Sequence, residues 1–161
     1  MLLRTLLAMC VIGICAGHTQ AAAGNRAYVV PDGYDPSSSP PFSNGLNVGG
    51  TFYVSGHLGI DPATGHPAAD PEMEARLVLD AVKSTLEKGG LHMDDLVSVT
   101  VYCTDIAMYD KFNAVYRSYF HGHFPTRAFL GVSQLVRGAH FEIAGIAVKS
   151  PPPQPHTAAK P

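Results

Sequence analysis

The chain has 161 residues, of which 11 are Lys or Arg and 13 are Asp or Glu, giving a formal net charge of −2. A chain of this length suits one domain with a single hydrophobic core. The slightly acidic balance argues against electrostatic binding of nucleic acid, which needs a basic face to displace counterions from phosphates. A small local basic site is still compatible with this charge.

Residues 1–23 are predicted to be a secretory signal peptide. Arg4 gives a positive start, an apolar run follows over residues 6–16, and Ala21-Ala22-Ala23 matches an A-x-A cleavage site. The alternative is an uncleaved anchor, but the apolar run is short for spanning a bilayer. We therefore expect a secreted or periplasmic protein of about 138 residues without membrane contact after cleavage. Loss of Arg4 leaves 10 basic against 13 acidic residues, a net charge of −3.

Cysteine usage limits how the mature fold is stabilised. Cys10 and Cys15 leave with the signal peptide, so only Cys103 remains and no intramolecular disulfide is possible. Cys103 lies within an apolar strand pattern, which predicts a buried small hydrophobe rather than a nucleophile. The fold must then be stabilised by its core or by oligomerisation.

Composition divides the mature chain into three parts. Residues 24–40 are rich in Pro, Ser, Asp and Gly and are predicted to form a mobile or extended lead-in, with one candidate short strand over 27–30. Residues 150–161 contain five prolines and are predicted to be an extended tail. The packed domain is therefore expected over residues 41–149.

The first half of this domain predicts a hairpin followed by a helix. Two strands, 46–48 and 51–55, flank the turn at Gly49-Gly50, and Gly56 is expected to end the second strand. Asp70 can cap a helix that has Pro71 in its first turn and ends after Lys88. Its apolar residues form one predicted core stripe at helical spacing: Met73, Leu77, Val78, Ala81, Val82 and Leu86.

The second half predicts a strand, a helix and two more strands. Residues 97–103 alternate between apolar and polar, a second helix is expected over 108–120, and strands follow over 126–132 and 140–148. The order β-β-α-β-α-β-β is typical of an α+β mixed sheet with both helices on one face. The other face must also be covered, and another subunit is the economical way to cover it.

Several catalytic classes lack their motifs in this chain. The eight histidines include no His-Glu-x-x-His arrangement, and no Cys-x-x-Cys is present, so no metal site is expected. No serine lies in a Gly-x-Ser-x-Gly elbow, and no glycine-rich phosphate-binding loop follows a strand.

Two charged residues stand out because they occur in or beside apolar runs. Arg127 and Glu142 belong to predicted strands, where an ionised side chain is costly unless it meets a partner or a ligand. A guanidinium in such a place is suited to binding a carboxylate. Composition alone does not distinguish these two residues from ordinary surface charges.

Five short blocks give a more specific indication, because they occur in the order and spacing of the Rid/YjgF family of reactive-intermediate (enamine/imine) deaminases. The resemblance covers residues 41–149, nearly the whole predicted domain. The blocks are Pro41-Phe42-Ser43-Asn44-Gly45, Val54-Ser55-Gly56-His57, Asn113-Ala114-Val115-Tyr116, Phe124-Pro125-Thr126-Arg127 and Phe141-Glu142-Ile143-Ala144-Gly145-Ile146-Ala147.

The resemblance implies a chorismate-mutase-like fold and a homotrimer with three ligand clefts between subunits. It further implies that Arg127 forms a bidentate pair with a substrate carboxylate and that Glu142 positions the attacking water. The implied reaction converts 2-imino or enamine acids into 2-oxo acids and ammonia without a cofactor. The alternative is a non-catalytic protein that binds small carboxylates in the same clefts.

Other positions of the expected cleft follow from the same resemblance. Gly56 suits close approach of the backbone to a ligand, and Asn113 matches a family asparagine near the cleft, although an ordinary helix-surface amide is an equal interpretation. Phe42 replaces a frequent tyrosine and Phe129 a frequent cysteine, while His57 replaces a common glutamine. These changes favour an altered pocket for a bulkier or more apolar substrate.

Overall fold

The structure is a computed structural model, and it describes residues 25–149. The predicted signal peptide and proline-rich tail lie outside these residues. Six strands and two helices follow one another along the chain: β1 Arg26–Val29, β2 Gly45–Val48, β3 Thr51–Leu58, α1 Pro71–Lys88, β4 Leu96–Cys103, α2 Tyr109–Arg117, β5 Thr126–Gly131 and β6 Phe141–Val148. Among the described helices, none is long and apolar enough to cross a membrane.

The six strands form one mixed sheet in the order β1-β2-β3-β6-β4-β5. All neighbouring strands are antiparallel except β4 and β5, which run parallel and are joined by α2. The predicted α+β class is confirmed, as is the element order from the hairpin onward. The candidate short strand over 27–30 is also present, as β1, which pairs with β2 over four residues of the predicted lead-in.

The hairpin between β2 and β3 forms where the sequence predicts it. Gly49 and Gly50 have φ of 58° and 87°, values that glycine adopts without a Cβ penalty and that match the right-handed strand twist. The expectation that Gly56 ends β3 is wrong. The strand continues to Leu58, and Gly56 instead lies in a β-bulge between Val54 and His57.

Helix α1 begins as predicted, because the Asp70 side chain accepts a hydrogen bond from the Met73 N–H at 3.0 Å. The predicted core stripe is wrong at its first member, since Met73 is 50% exposed. The buried face is rotated by about one residue from the predicted one. It comprises Glu74, Ala75, Val78, Leu79, Val82, Thr85 and Leu86.

Both helices pack on the same face of the sheet, as predicted. Helix α2 ends at Arg117, three residues before its predicted end, and a 3-10 turn, Ile106–Met108, precedes it. Its buried residues are Phe112, Val115 and Tyr116. Alternate residues of β4 are buried between sheet and helices, including Val99, Val101 and Cys103. The opposite side is called the open face here, and large residues on it such as Tyr53 and Leu130 are about half exposed.

Candidate active site

Arg127 is the second residue of β5 and lies on the helix side of the sheet. It is in register with Val99 of β4, which is 1% exposed beneath the helices. Its Nη2 donates a 2.7 Å hydrogen bond to the Asn113 side-chain oxygen on α2. The sheet edge and the helix therefore position this guanidinium together.

Aromatic rings surround the same guanidinium. Its Cζ lies 4.5 Å from the ring centroid of Tyr116 and 5.8 Å from those of Tyr109 and Phe129, within the range of cation–π attraction. The Nη1 atom is buried without a hydrogen-bond partner among the described groups, as is the Tyr116 hydroxyl. The arginine is thus held by ring faces and one amide, and most of its N–H donors are not used by the protein.

A cavity of about 280 Å³ opens onto this arrangement. Burial raises the pKa of Tyr116 to about 12, although the positive charge of Arg127 opposes the shift, so this wall residue is a neutral hydroxyl at ordinary pH. Tyr109, Asn113, Tyr116 and Arg127 are together called the arginine region. The complete lining is Tyr109, Asn113, Tyr116, Arg117, Phe124, Pro125 and Arg127.

Glu142 lies elsewhere, on the open face of the sheet. It is the second residue of β6, in register with Leu58 of β3 and Tyr102 of β4. Its carboxylate folds over Gly56, where a Cβ would collide with Glu142 Oε1 and would lie 3.0 Å from Cδ. The bulge and the absent side chain at Gly56 therefore make the space that this carboxylate occupies.

The segment containing Phe42 is attached to the same part of β3. The Ser55 N–H donates to the Asn44 carbonyl at 3.0 Å, and the Ser55 hydroxyl donates to the Ser43 carbonyl at 2.5 Å. Phe42 itself is 53% exposed. Gly56, Glu142 and the loop that carries Phe42 are together called the glutamate region.

Within one chain the two regions lie on opposite faces of the sheet. The register pairs that place Arg127 beside Val99 and Val101 beside Ile143 put these residues on the helix side, whereas Glu142 alternates with Ile143 and faces away. One chain therefore does not bring Arg127 and Glu142 into a common pocket.

Of the remaining predicted positions, Asn113 and Phe129 contact the arginine region and His57 does not. Asn113 lines the cavity and bonds Arg127, whereas Phe129 packs behind it, 4.9 Å from Tyr109 between ring centroids. His57 directly follows Gly56, but its side chain is on the helix side of the sheet, where its Nε2 is 3.0 Å from Thr85 Oγ1. Burial lowers the pKa of His57, although a hydrogen bond with the Asn44 backbone opposes this shift.

Glu74 of α1 has an anchoring role that the sequence did not indicate. Its side chain is completely buried, and Oε1 accepts hydrogen bonds from the backbone N–H groups of His140 at 2.6 Å and Phe141 at 3.0 Å. Its Oε2 lies 2.6 Å from His140 Nδ1. These contacts fix the start of β6 directly before Glu142. The sequence offered one signal for this role: Glu74 directly follows Met73 of the predicted apolar stripe. A glutamate buried on that face of the helix requires hydrogen-bond partners.

Cysteine and metal chemistry receive no support from the described residues. Cys103 is buried, its thiol donates to the Asp105 carbonyl at 3.0 Å, and burial is the main cause that raises its pKa. Over residues 25–149, no group of three or more His, Cys, Asp or Glu side chains could hold a metal ion. The prediction that Cys103 is a buried small side chain is confirmed.

Comparison with known proteins agrees with this geometry. The family model described as Endoribonuclease L-PSP matches residues 33–149, most of the chain. The 2-iminobutanoate/2-iminopropanoate deaminase of Escherichia coli K12 is 34% identical over 117 residues, covering 71% of this chain and 91% of that protein. The chain belongs to the Rid/YjgF family.

Solved structures of Rid-family proteins share the fold. A putative endoribonuclease from Thermotoga maritima superimposes with a TM-score of 0.69 at 37% identity, covering 78% of this chain and 98% of the other. Escherichia coli TdcF with bound serine gives 0.69 at 31% identity, covering 77% and 100%. The mixed sheet with two helices is thus the Rid/YjgF fold, and relatives at this identity are named as reactive-intermediate deaminases.

Proposed function

We propose that this Rid-family protein is a hydrolase that converts 2-imino acids, or the enamines from which they tautomerise, into 2-oxo acids and ammonia. One observation carries the proposal: Arg127 faces a cavity with most of its N–H donors unused, and that cavity has no acidic residue in its lining. A guanidinium in this state matches a carboxylate in charge and in geometry.

The reaction requires only positioning and proton transfer. The carboxylate of the imino acid pairs with Arg127, which fixes the adjacent electrophilic carbon. Glu142 orients a water molecule and takes up its proton as the oxygen adds to this carbon and the C=N π electrons move to nitrogen. Glu142 gives this proton to the nitrogen, which produces the neutral carbinolamine. As the carbinolamine collapses, its hydroxyl proton is transferred to the amino nitrogen, the C–N bond breaks, a C=O bond forms and ammonia leaves.

Assembly with other copies is part of the proposal, because one chain keeps Arg127 and Glu142 on opposite faces of its sheet. A cleft between subunits can combine the arginine region of one chain with the glutamate region of its neighbour. The half-exposed side chains of Tyr53 and Leu130 on the open face give that face an apolar surface to bury. We propose a homotrimer with three such clefts, as the sequence resemblance implies.

Export is also part of the proposal, on the strength of the signal-peptide pattern in residues 1–23. A secreted or periplasmic protein of this kind would act on imines formed outside the cytoplasm, for example those released by oxidation of amino acids. No cofactor is required, since the imine carbon is already electrophilic.

Binding without turnover is the second candidate function. The structure of the relative TdcF contains bound serine, an amino acid rather than an imine, so a Rid-family protein can bind a small amino acid. The cavity around Arg127 would serve this function without Glu142.

The test generates imino acids in situ with an amino-acid oxidase and measures their removal by the purified protein, Arg127→Ala and Glu142→Ala. Acceleration by the unmodified protein and its loss in both variants support the deaminase. If no imine disappears faster than by spontaneous hydrolysis while a 2-oxo acid still binds, the binding function replaces it. Binding lost in Arg127→Ala and retained in Glu142→Ala assigns the two roles.

A further inference from the structure

The cavity beside Arg127 contains a second arginine that the sequence analysis did not single out. Arg117 lines the same cavity. It follows Asn113 by four residues on α2, so the two side chains are neighbours on one helix face, with Cβ atoms about 5–6 Å apart. Asn113 is the hydrogen-bond partner of Arg127, so Arg117 follows that partner by about one turn along α2.

Among the described residues of one chain, no acidic side chain neutralises either arginine. No acidic residue lines the cavity, and none of the ion pairs found within residues 25–149 includes Arg117 or Arg127. The Arg117 Cζ lies 5.6 Å from the ring centroid of Phe124, within the range of cation–π attraction. Arg117 is exposed, so its N–H groups can also bind an anion. Two unpaired positive charges in one small cavity are notable in a protein with a net negative charge.

We propose that Arg117 determines substrate specificity by binding a second carboxylate, so that the preferred substrates are dicarboxylic 2-imino acids of four or five carbons. This replaces the expectation of a bulkier or more apolar substrate, which was based on Phe42, His57 and Phe129, because none of these three residues lines the cavity. This inference rests on the proposed function, with Arg127 binding the carboxylate next to the imine. The second carboxylate takes no part in the chemistry, and the reaction remains hydrolysis of the C=N bond. Ligands with one carboxylate leave Arg117 without an anionic partner.

The size of the cavity agrees with this substrate class. Its volume of about 280 Å³ lies just below the range of about 300–1,000 Å³ typical of pockets for drug-sized ligands. A short dicarboxylate would lie between Arg127 and Arg117, which line the same cavity, with Tyr109 and Tyr116 as walls.

The experiment compares imines generated in situ from aspartate and glutamate with those from alanine and 2-aminobutanoate. In the unmodified protein we expect kcat/KM to be at least about tenfold higher for the dicarboxylic imines, the effect of one charge-assisted pair. Arg117→Gln should remove most of this preference, chiefly through KM. Lys111→Gln, which removes a positive charge from an exposed position of α2 outside the cavity, should leave the preference unchanged.

A binding measurement separates this inference from the proposed function. Titration calorimetry with four- and five-carbon dicarboxylic 2-oxo acids, against pyruvate, requires no turnover. A dicarboxylate preference that Arg117→Gln removes supports the second-carboxylate site even if no imine is hydrolysed, a result that would overturn only the deaminase. Equal affinity for monocarboxylates and dicarboxylates, or an unchanged preference in Arg117→Gln, overturns the inference.

Discussion

The arginine region and the glutamate region are built in different ways. Arg127 is held from several sides by a helix amide and aromatic rings, so side-chain packing fixes its position. Glu142 is placed by the backbone, through a bulge and a glycine in β3 and through the anchored start of β6. Arg127 and Glu142 are therefore supported by independent parts of one fold. If Arg127 binds the substrate and Glu142 positions water, as proposed, mutations should affect binding and turnover separately.

The largest expected effects come from the two charged residues themselves. Arg127→Lys keeps the charge but loses the planar fork, and we expect kcat/KM for imines to fall about a hundredfold, with weaker binding of 2-oxo acids.

Glu142→Gln should lower kcat by about 10²-fold, while binding of 2-oxo acids changes less than about threefold. Steady-state kinetics together with calorimetry check this division, and equal loss of binding in both variants would contradict it.

Gly56→Ala tests the backbone support of Glu142. The new methyl group would collide with the carboxylate and displace it, so we expect kcat to fall about tenfold with a smaller change in KM. Gly122→Ala is the matched control, because a Cβ there meets nothing within 4 Å. If Gly56→Ala hydrolyses imines as fast as the control, the placement of Glu142 over Gly56 is wrong.

Glu74→Ala tests the anchor of β6. It leaves two backbone N–H groups at His140 and Phe141 without their acceptor, which should lower the free energy of unfolding by about 2–3 kcal/mol. Glu74→Gln keeps an acceptor oxygen and should lose much less. Urea denaturation measures both, with the exposed Glu72→Ala as control. Similar stabilities for Glu74→Ala and Glu72→Ala would refute the anchoring role.

The smallest expected effect concerns His57, which lies outside both regions. Burial lowers its pKa below the ordinary 6.5, so the unfolded chain takes up a proton at a higher pH than the folded protein does. Protonation of His57 therefore has little effect on the free energy of unfolding above pH 6.5 and lowers it as the pH falls below this value. His57→Gln should make the unfolding free energy less sensitive to pH between about 7.5 and 5, as measured by urea denaturation across this range. The same pH dependence in His57→Gln and the unmodified protein would contradict this.

Much of the fold could be predicted from local patterns. The hairpin glycines, the Asp70 cap and the alternation in β4 each have a short-range cause, and each element formed. The predictions failed where contacts between distant parts of the chain determine which residues are buried. Met73 is exposed and Glu74 buried because the partner of Glu74 is a strand 66 residues away, which helical spacing alone does not reveal.

The candidate site was less predictable than the fold. Arg127, Glu142, Gly56 and Asn113 could be named from family motifs, but their distribution over two faces of the sheet depends on the register of β4 with β5 and β6. The aromatic surroundings of Arg127 and the cavity position of Arg117 likewise depend on how α2 packs. A sequence lists such residues without indicating which of them share a cavity.

Complementation between two inactive variants tests the shared cleft most directly. Arg127→Ala and Glu142→Ala are unfolded together, refolded as a mixture and assayed for imine hydrolysis. If each site combines Arg127 of one chain with Glu142 of its neighbour, random assembly makes about one cleft in four intact, and about a quarter of the unmodified activity should return. Activity no greater than that of either variant alone, in mixed assemblies verified by mass spectrometry, would contradict a cleft shared between chains.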